Sequence, residues 1–211
     1  MHKIMAEDIY QKAVEFGSST IYEASGLDTS VDCDIKAVWA GAAAAGPAYT
    51  VHCAPGDNLG IHIAMERAPK GSILVVATND HIAGCWGEVL TCMAQARGLA
   101  GLLIDGGVRD IAALRRRQFP VFSRGITVRG TIKDYVFSVG KDMAFGGVRV
   151  ATGDLVVADE DGVVIVPKYA VEKTMQNAET RFNKEAEWMD KLAAGASTLE
   201  LMNLTAWREK V

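Results

Sequence analysis

Hydrophobic residues in the middle of the chain fall into short runs separated by a helical pattern. The runs 72–77 (SILVVA) and 99–105 are almost continuously apolar, which is typical of strands buried on both faces. Between them, residues 87–96 place apolar side chains on one helical face, and Gly98 follows as a stop signal. This order predicts a strand, a helix and a second strand.

The same alternation continues beyond the second strand. Gly106 and Gly107 are expected to form a turn, and Asp110 is placed to cap a helix over residues 111–117. Another apolar run at 121–123 follows, which predicts a third strand. Because strands joined by helices usually pair in parallel, we expect a parallel core to the sheet.

The two ends of the chain carry other patterns. Residues 6–16 have helical spacing, and the hydroxyl residues 18–20 can cap a second short helix. In the last third, the runs 147–150, 154–158 and 163–166 are separated by tight turns, which predicts a β-meander. The stretch from about 170 to 194 has the apolar stripe of a long helix. We therefore predict an α/β fold with mixed sheets and a C-terminal helical arm, as a single domain over the whole chain.

Composition and charge narrow the classes of partner. The 211 residues carry 22 Lys and Arg against 26 Asp and Glu, a net charge of −4, which makes nucleic acid a poor candidate. The basic cluster 115–117 is interpreted as a solvated helix end. The longest uncharged stretch, 37–51, is too short to span a bilayer. Glu7 and Asp8 lie where a signal peptide needs apolar residues, so we expect no membrane partner and a cytoplasmic protein.

Cysteine and histidine spacing argues against two kinds of site. The four cysteines contain no CxxC pair, and the four histidines contain no HExxH pair. A disulfide scaffold and a zinc-hydrolase site therefore both lack support. We expect buried free thiols.

The stretch 84–110 has the richest chemistry. Residues 87–90 open the predicted helix, whose first N–H groups have no internal partner and bind carboxylates well. Arg109 and Asp110 follow a strand, and the carboxyl ends of strands are the usual place for sites in α/β sheets. If the helix packs back along that strand, the two ends of the stretch meet in one crevice.

Three side chains of this stretch suit oxyanion chemistry. Arg109 offers a planar fork for a carboxylate or an enolate oxygen. Asp110 offers the hard oxygen that Mg²⁺ and Mn²⁺ prefer, and Glu88 can hold a water or move a proton. An alternative interpretation, favoured by the spacing alone, makes Arg109 and Asp110 an exposed charge pair and Glu88 a partner of the helix dipole.

Two further features each allow two interpretations. The turn 55–59 (PGDNL) either caps a helix that carries His62 and Met65 or lines the same crevice. His62 follows Asp57 by five positions, which is not the spacing of a helical metal pair. Glu185 either flanks the apolar stripe of the long helix or lies on a buried seam, where it needs a partner from its own chain or from a neighbour.

Six stretches of the sequence carry recognisable motifs, and they are STIYEASG (19–26), AGPAYTV (45–51), PGDNL (55–59), WGEVLTCMAQARGLAGLLIDGGVRD (86–110), FPVFSRGITVRGT (119–131) and GDLVVADEDGVVIVP (153–167). Together they resemble one family, the class II 4-hydroxy-4-methyl-2-oxoglutarate / 4-carboxy-4-hydroxy-2-oxoadipate aldolases with the related regulator of RNase E activity A. The resemblance implies an αββα sandwich of the swivelling-domain type, assembled as homotrimers or homohexamers with sites between subunits. It also implies Mg²⁺ or Mn²⁺ as cofactor, cleavage of 2-oxo-4-hydroxy acids to pyruvate, and decarboxylation of oxaloacetate.

The family motifs assign roles to five residues of this sequence. The resemblance makes Asp110 the metal carboxylate and Arg109 the group that neutralises the enolate oxygen. Glu88 would hold the water that relays a proton. The backbone N–H groups of Val89 and Leu90 would bind the carboxylate of the pyruvyl unit.

A sixth role falls on the C-terminal helix, where Glu185 is the best match to a glutamate that the family supplies from a neighbouring subunit. One departure concerns Ala113, where aldolases of the family often carry an acidic residue that would orient a metal-bound water. No lysine lies in a Schiff-base context, which disfavours a class I route. The alternative function is a non-catalytic protein-binding regulator, in which the crevice residues are relics.

Overall fold

The computed structural model describes residues 6–208 and residue 210. The helices are α1 (Ala6–Ser25), α2 (Leu59–Arg67), α3 (Glu88–Arg97), α4 (Ile111–Arg116), α5 (Val171–Ala193) and α6 (Thr198–Leu201), followed by a 3₁₀ turn (Thr205–Trp207). The strands are β1 (Lys36–Ala37), β2 (Ala44–Cys53), β3 (Ile73–Ala77), β4 (Gly84–Trp86), β5 (Gly101–Val108), β6 (Val121–Ile126), β7 (Val136–Val139), β8 (Met143–Phe145), β9 (Val148–Val150), β10 (Leu155–Ala158) and β11 (Val163–Val166).

Most of these strands form one mixed sheet with a parallel centre. Strands β2, β3, β5 and β6 lie side by side in that order and run parallel, as the strand–helix alternation predicts. Strands β1, β7, β10 and β11 join the sheet in antiparallel pairs, and β4 pairs in parallel with the end of β5. The predicted mixed α/β fold with a C-terminal helix is confirmed.

The segment 29–38 brings the two outer edges of the sheet near each other. The N–H of Val31 donates to the carbonyl of Val163 on β11 at 2.9 Å, and the N–H of Val38 donates to the carbonyl of Val121 on β6 at 3.0 Å. One short segment therefore borders both edges, and the sheet is nearly closed.

Alternating side chains of β10 and β11 divide the interior into two cores. Val157 and Val164 pack with α1 and α5, whereas Val156 and Ile165 face the larger core inside the nearly closed sheet. Leu103 of β5 is fully buried in that larger core. Each such side chain contributes about 1.5–3 kcal/mol through burial, which fixes the strands that carry the site.

The prediction of a turn at Gly106 and Gly107 is wrong, because both residues lie inside β5. A Cβ at position 106 would lie 2.6 Å from Oγ1 of Thr78, and one at 107 would lie 2.7 Å from the carbonyl oxygen of Ala83. The glycines therefore mark the close approach of neighbouring backbone, not a reversal of the chain.

The predicted β-meander is also wrong in its first strand. β9 pairs with β8 in a separate ribbon, while β10 pairs with β11 and with β2. Turn residues predict where a strand ends, but they do not predict which strand becomes its neighbour.

Both terminal helices form where the patterns predict them. α1 has a break at Gly17 (φ 81°, ψ 160°), and Asp159 accepts bonds from the N–H and the hydroxyl of Ser18, each at 2.6 Å. α5 covers all but the ends of the predicted stretch. Among the described residues, no helix has the length and apolar character required to cross a membrane.

The cysteines only partly match the expectation of buried thiols. All four are free, but Cys33 and Cys92 are exposed. Burial raises the pKa of Cys53 to about 12 and that of Cys85 to about 11, so these two thiols are protonated at neutral pH.

Candidate active site

The two ends of the stretch 84–110 meet at one cavity of about 260 Å³. It lies between β4, the start of α3, the end of β5 and the segment that follows β6. The lining residues are Asn58, His62, Gly84, Cys85, Trp86, Gly87, Val89, Leu90, Arg109, Asp110, Thr131 and Lys133. The crevice expected from the sequence is therefore present within a single chain.

The N-terminus of α3 opens into this cavity. The N–H of Glu88 donates to Oδ2 of Asp110 at 2.9 Å. The N–H groups of Val89 and Leu90 have no hydrogen-bond partner among the described residues. Two free donors at the positive end of a helix have the chemistry to bind a carboxylate.

Gly87 lets the start of α3 approach the end of β5. A Cβ at this position would collide with Oδ2 of Asp110 and would lie 3.1 Å from Cγ of Arg109. The absence of a side chain therefore brings the donors of the helix and the two charged groups into one small space.

Asp110 occupies the left-handed region (φ 60°, ψ 35°) immediately before α4. It holds the predicted N-cap position, but its side chain does not bond to its own helix. The expectation of a side-chain cap is wrong because the carboxylate turns toward α3 instead, where it accepts the N–H of Glu88. The side chain is 44% exposed, so it has room for a further partner.

Arg109 projects into the cavity from a fixed backbone. Its N–H donates to the carbonyl of Trp86 at 2.9 Å, which ties the end of β5 to β4. Its Nε lies 4.0 Å from Oδ2 of Asp110, and half of the side chain is exposed. At this distance the guanidinium is near the carboxylate but forms no tight ion pair with it, so it remains available to a ligand.

Glu88 is adjacent to the cavity but does not form part of its described wall. Its Oε1 accepts a bond from Nε of Arg117 at 3.0 Å. The side chain of the expected proton-relay residue is therefore held at the edge of the cavity by the end of α4.

Sequence patterns assign no specific role to four residues on the opposite wall of the cavity. Asn58 and His62 come from the PGDNL turn and from α2, so the turn both starts a helix and lines the crevice. Thr131 and Lys133 come from the segment after β6. Burial, and then the charge of Lys133, lower the pKa of His62, which keeps its ring neutral at pH 7.

Backbone bonds explain why these distant segments meet. The N–H of Gly84 donates to the carbonyl of Arg129 at 2.8 Å, and the N–H of Ile132 donates to the carbonyl of Gly56 at 3.0 Å. The segment after β6 is thus attached to β4 at one point and to the PGDNL turn at another.

Asp57 stabilises the same wall of the cavity through buried hydrogen bonds. This residue is 1% exposed, and its carboxylate accepts the N–H groups of Leu59, Asp134 and Tyr135 at 2.6–2.8 Å. Burial alone would raise its pKa, but these three donors and the charge of Lys133 together hold the pKa below its ordinary value.

Glu185 does not reach the cavity of its own chain. It lies on α5 and forms an ion pair with Arg181 at 2.8 Å, and Arg181 also pairs with Glu23 of α1 at 2.5 Å. Ala113, which replaces the acidic residue expected in the family, is buried in α4.

The carboxylate of Asp110 suits a magnesium or manganese ion that takes one ligand from the protein. Asp110 provides hard carboxylate oxygen in an open setting, and the remaining positions would fall to water and substrate. Among the described residues, the single group of three potential ligands close enough to share an ion is Asp32, Cys33 and Asp34, which is exposed. A thiol is a poor ligand for these ions, so this group is the less suitable place.

A second cavity, of about 400 Å³, lies near the carboxyl ends of β2, β3 and β6. Its charged groups already have partners. Arg124 pairs with Asp32 at 2.8 Å and with Asp80 at 3.0 Å, while Asp105 accepts both the N–H and the hydroxyl of Thr78. The smaller cavity, with its free N–H groups, is therefore the better candidate.

Comparison with known proteins identifies the family of the chain. A family model described as RraA-like (Aldolase/RraA) matches residues 18–165. A protein of Halalkalibacterium halodurans, provisionally named 4-hydroxy-4-methyl-2-oxoglutarate aldolase, is 36% identical over 167 residues, which is 79% of this chain and 77% of that protein.

Solved structures are similar as well. RraAS2 of Streptomyces coelicolor, described as an unusual member of the RNase ES inhibitor RraA family, has a TM-score of 0.71 and 27% identity, covering 88% of this chain and 98% of that one. A protein of Pseudomonas syringae pv. tomato has a TM-score of 0.85 over 96% of both chains, and at 24% identity it supports the fold alone.

The fold and the cavity define a class of mixed α/β proteins that present a helix N-terminus and an Arg-Asp pair at the end of a parallel strand. With the family model matching most of its length, the chain belongs to the RraA-like family, which includes both aldolases and regulators of RNase E.

Proposed function

We propose that the chain is a divalent-metal-dependent lyase that cleaves 4-hydroxy-2-oxo dicarboxylic or tricarboxylic acids to pyruvate by a retro-aldol reaction. Decarboxylation of oxaloacetate would be a side activity. The observation that supports this best is the placement of the free N–H groups of Val89 and Leu90 in the same small cavity as Arg109 and Asp110.

Each of these residues contacts a different part of the substrate. Val89 and Leu90 bind the carboxylate of the 2-oxo acid, and Arg109 stabilises the negative charge that develops on its C2 oxygen. Asp110 would hold Mg²⁺ or Mn²⁺, which supplies Lewis-acid stabilisation when bound. Because the N–H of Glu88 donates to the Asp110 carboxylate, the start of α3 positions this carboxylate next to the N–H groups that bind the substrate.

Proton transfer falls to Glu88 and a water beside it. The hydroxyl at C4 loses its proton to the water beside Glu88, and the C3–C4 bond breaks. C4 leaves as the carbonyl carbon of the second product, and the electron pair of the broken bond moves toward C2 and its oxygen. Arg109 stabilises the resulting pyruvate enolate, and a proton returned through Glu88 to C3 completes pyruvate. With oxaloacetate the same bond breaks and CO₂ is the leaving group.

We further propose that the functional form is a homotrimer or homohexamer in which Glu185 approaches the cavity of a neighbouring subunit. Large apolar side chains around the cavity support an interface there, because Val89, Val128 and Ile132 are all strongly exposed. The far end of α5 also carries an exposed apolar residue, Met189.

A coupled assay for pyruvate tests the lyase. With oxaloacetate and Mg²⁺ we expect release above the spontaneous rate, and EDTA should abolish the excess. Arg109→Ala should cost roughly 3 kcal/mol, about a hundredfold in rate, which is the scale for losing one oxyanion partner. Arg115→Ala removes an exposed arginine outside the cavity and should keep full activity.

A second variant separates binding from proton transfer. Glu88→Gln should slow turnover while pyruvate still binds, because the N–H donors of α3 remain. Normal turnover by Glu88→Gln would remove this residue from the relay, and normal turnover by Arg109→Ala would contradict the enolate assignment.

A non-catalytic regulator is the second candidate, and the likeness to RraAS2 favours it. In that case an outer surface would bind an RNase E-type enzyme, and oxaloacetate would decay at the spontaneous rate. Binding to such an enzyme, measured by calorimetry with a chain that shows no metal-dependent turnover, would support this function over the lyase.

A further inference from the structure

Glu88 carries a carboxylate in the same first turn of α3 as the N–H groups that the proposed function reserves for substrate. Glu88 is the first residue of α3, and the free N–H groups of Val89 and Leu90 follow at once. A carboxylate in the first turn of a helix is attracted to the N-terminal N–H groups of that helix. Unrestrained, the side chain of Glu88 would compete with a substrate carboxylate.

Arg117 provides the opposing attraction. Its Nε donates to Oε1 of Glu88 at 3.0 Å, and Oε2 has no bonding partner among the residues that the structure describes. The Glu88 side chain is accordingly absent from the described wall of the cavity. With side chains 35% and 41% exposed, such a pair contributes little to stability, so its main effect is on where the carboxylate lies.

The backbone of Arg117 is held on both sides. Its carbonyl accepts a bond from Nε2 of Gln95 on α3 at 2.8 Å, and its own N–H donates to the carbonyl of Ala113 at 2.9 Å. Arg115 and Arg116 are exposed and form no ion pair within the described part of the chain. Of the three consecutive arginines, one has an anchored position and a specific partner.

We propose that Arg117 is a positioning residue that holds the Glu88 carboxylate off the N-terminus of α3. It keeps the N–H groups of Val89 and Leu90 open for the substrate carboxylate, and it leaves one oxygen of Glu88 available to the relay water. This inference rests on the proposed lyase function and assigns a role within it to a residue outside the cavity.

A double-mutant cycle tests the inference with Mg²⁺ and oxaloacetate. Arg117→Met should raise KM about tenfold, the scale of one charge-assisted hydrogen bond, because the released carboxylate occupies the substrate donors. In a Glu88→Gln background the same change should have no further effect on KM, since an uncharged side chain is a weak competitor. Arg117→Lys should recover most of the loss, and Arg116→Met is the control for removing one positive charge.

Oxalate binding, measured by calorimetry with Mg²⁺, gives a readout that does not depend on turnover. Arg117→Met should weaken oxalate binding about tenfold, whereas Arg116→Met should leave it unchanged. Equal behaviour of these two variants would overturn the inference, as would an Arg117→Met effect that persists in the Glu88→Gln background. An inactive wild-type chain whose oxalate affinity still depends on Arg117 would refute the lyase and retain the positioning role.

Discussion

Replacement of Asp57 by asparagine tests whether the hydrogen bonds of this buried carboxylate stabilise the cavity wall opposite Arg109. The Asp57 carboxylate uses one oxygen for the N–H of Leu59 and the other for the N–H groups of Asp134 and Tyr135. Asparagine keeps one acceptor oxygen and places an NH₂ group against donors. At least one of the two sets of bonds is therefore lost.

The cost follows from the number and kind of bonds. A hydrogen bond to a charged group contributes about 1.5–3 kcal/mol, and a buried donor left without an acceptor carries a further penalty. Since the residue is 1% exposed, water cannot replace the lost acceptor. We expect Asp57→Asn to lower the free energy of unfolding by about 3 kcal/mol or more at pH 7.

The loss should depend on pH in one direction. The pKa of Asp57 is lower in the folded chain than its ordinary value of 3.8, so the stabilisation is complete above that value and disappears as pH falls through the folded-state pKa. The difference between wild type and Asp57→Asn should therefore be constant from pH 5 to 7 and shrink below about pH 4.

Urea unfolding followed by tryptophan fluorescence measures this difference. Asp134→Asn is the matched control, because the Asp134 side chain is exposed and only its backbone N–H contacts Asp57. A loss below 0.5 kcal/mol for Asp57→Asn, or a loss of equal size at every pH, would refute the reasoning.

Three further predictions concern the start of α3 and the core beneath it. Gly87→Ala should reduce Mg²⁺-dependent pyruvate release about tenfold or more, because the new Cβ displaces Asp110, whereas Gly130→Ala, whose Cβ would meet no atom within 4 Å, should not change the rate. Thr91→Val removes the acceptor of the buried indole N–H of Trp86, at 2.7 Å, and should cost about 1–3 kcal/mol in urea unfolding; unchanged stability would count against that bond. Leu103→Ala should cost about 2–5 kcal/mol by the same measurement, and a loss under 1 kcal/mol would show that the core is not closely packed there.

Local patterns were sufficient to predict much of the fold. The strands β3 and β5 are almost continuous apolar runs, and α3 between them has apolar residues at helical spacing, so each pattern indicates which residues are buried. The helix α5 has an apolar stripe along its length. The meeting of Glu88 with Asp110 was predictable as well, because a helix that packs back along its following strand brings its start near the end of that strand.

Features set by contacts between distant residues were not predictable. Glycine is required at position 107 because the backbone of Ala83, which is distant in sequence, lies close to it. Lys133 and His62 share a cavity only after two turns have been bonded together, and Arg117 reaches Glu88 across 29 positions. The periodicity of a single sequence does not predict contacts between residues that are far apart in the chain.

The most direct measurement is a crystal structure of the chain with Mn²⁺ and oxalate, using the anomalous signal of manganese. We predict a manganese peak beside Asp110, with an oxalate carboxylate on the N–H groups of Val89 and Leu90 and the guanidinium of Arg109 against the ligand. A peak at Asp32 and Asp34 instead, or a cavity without oxalate, would contradict the proposed site.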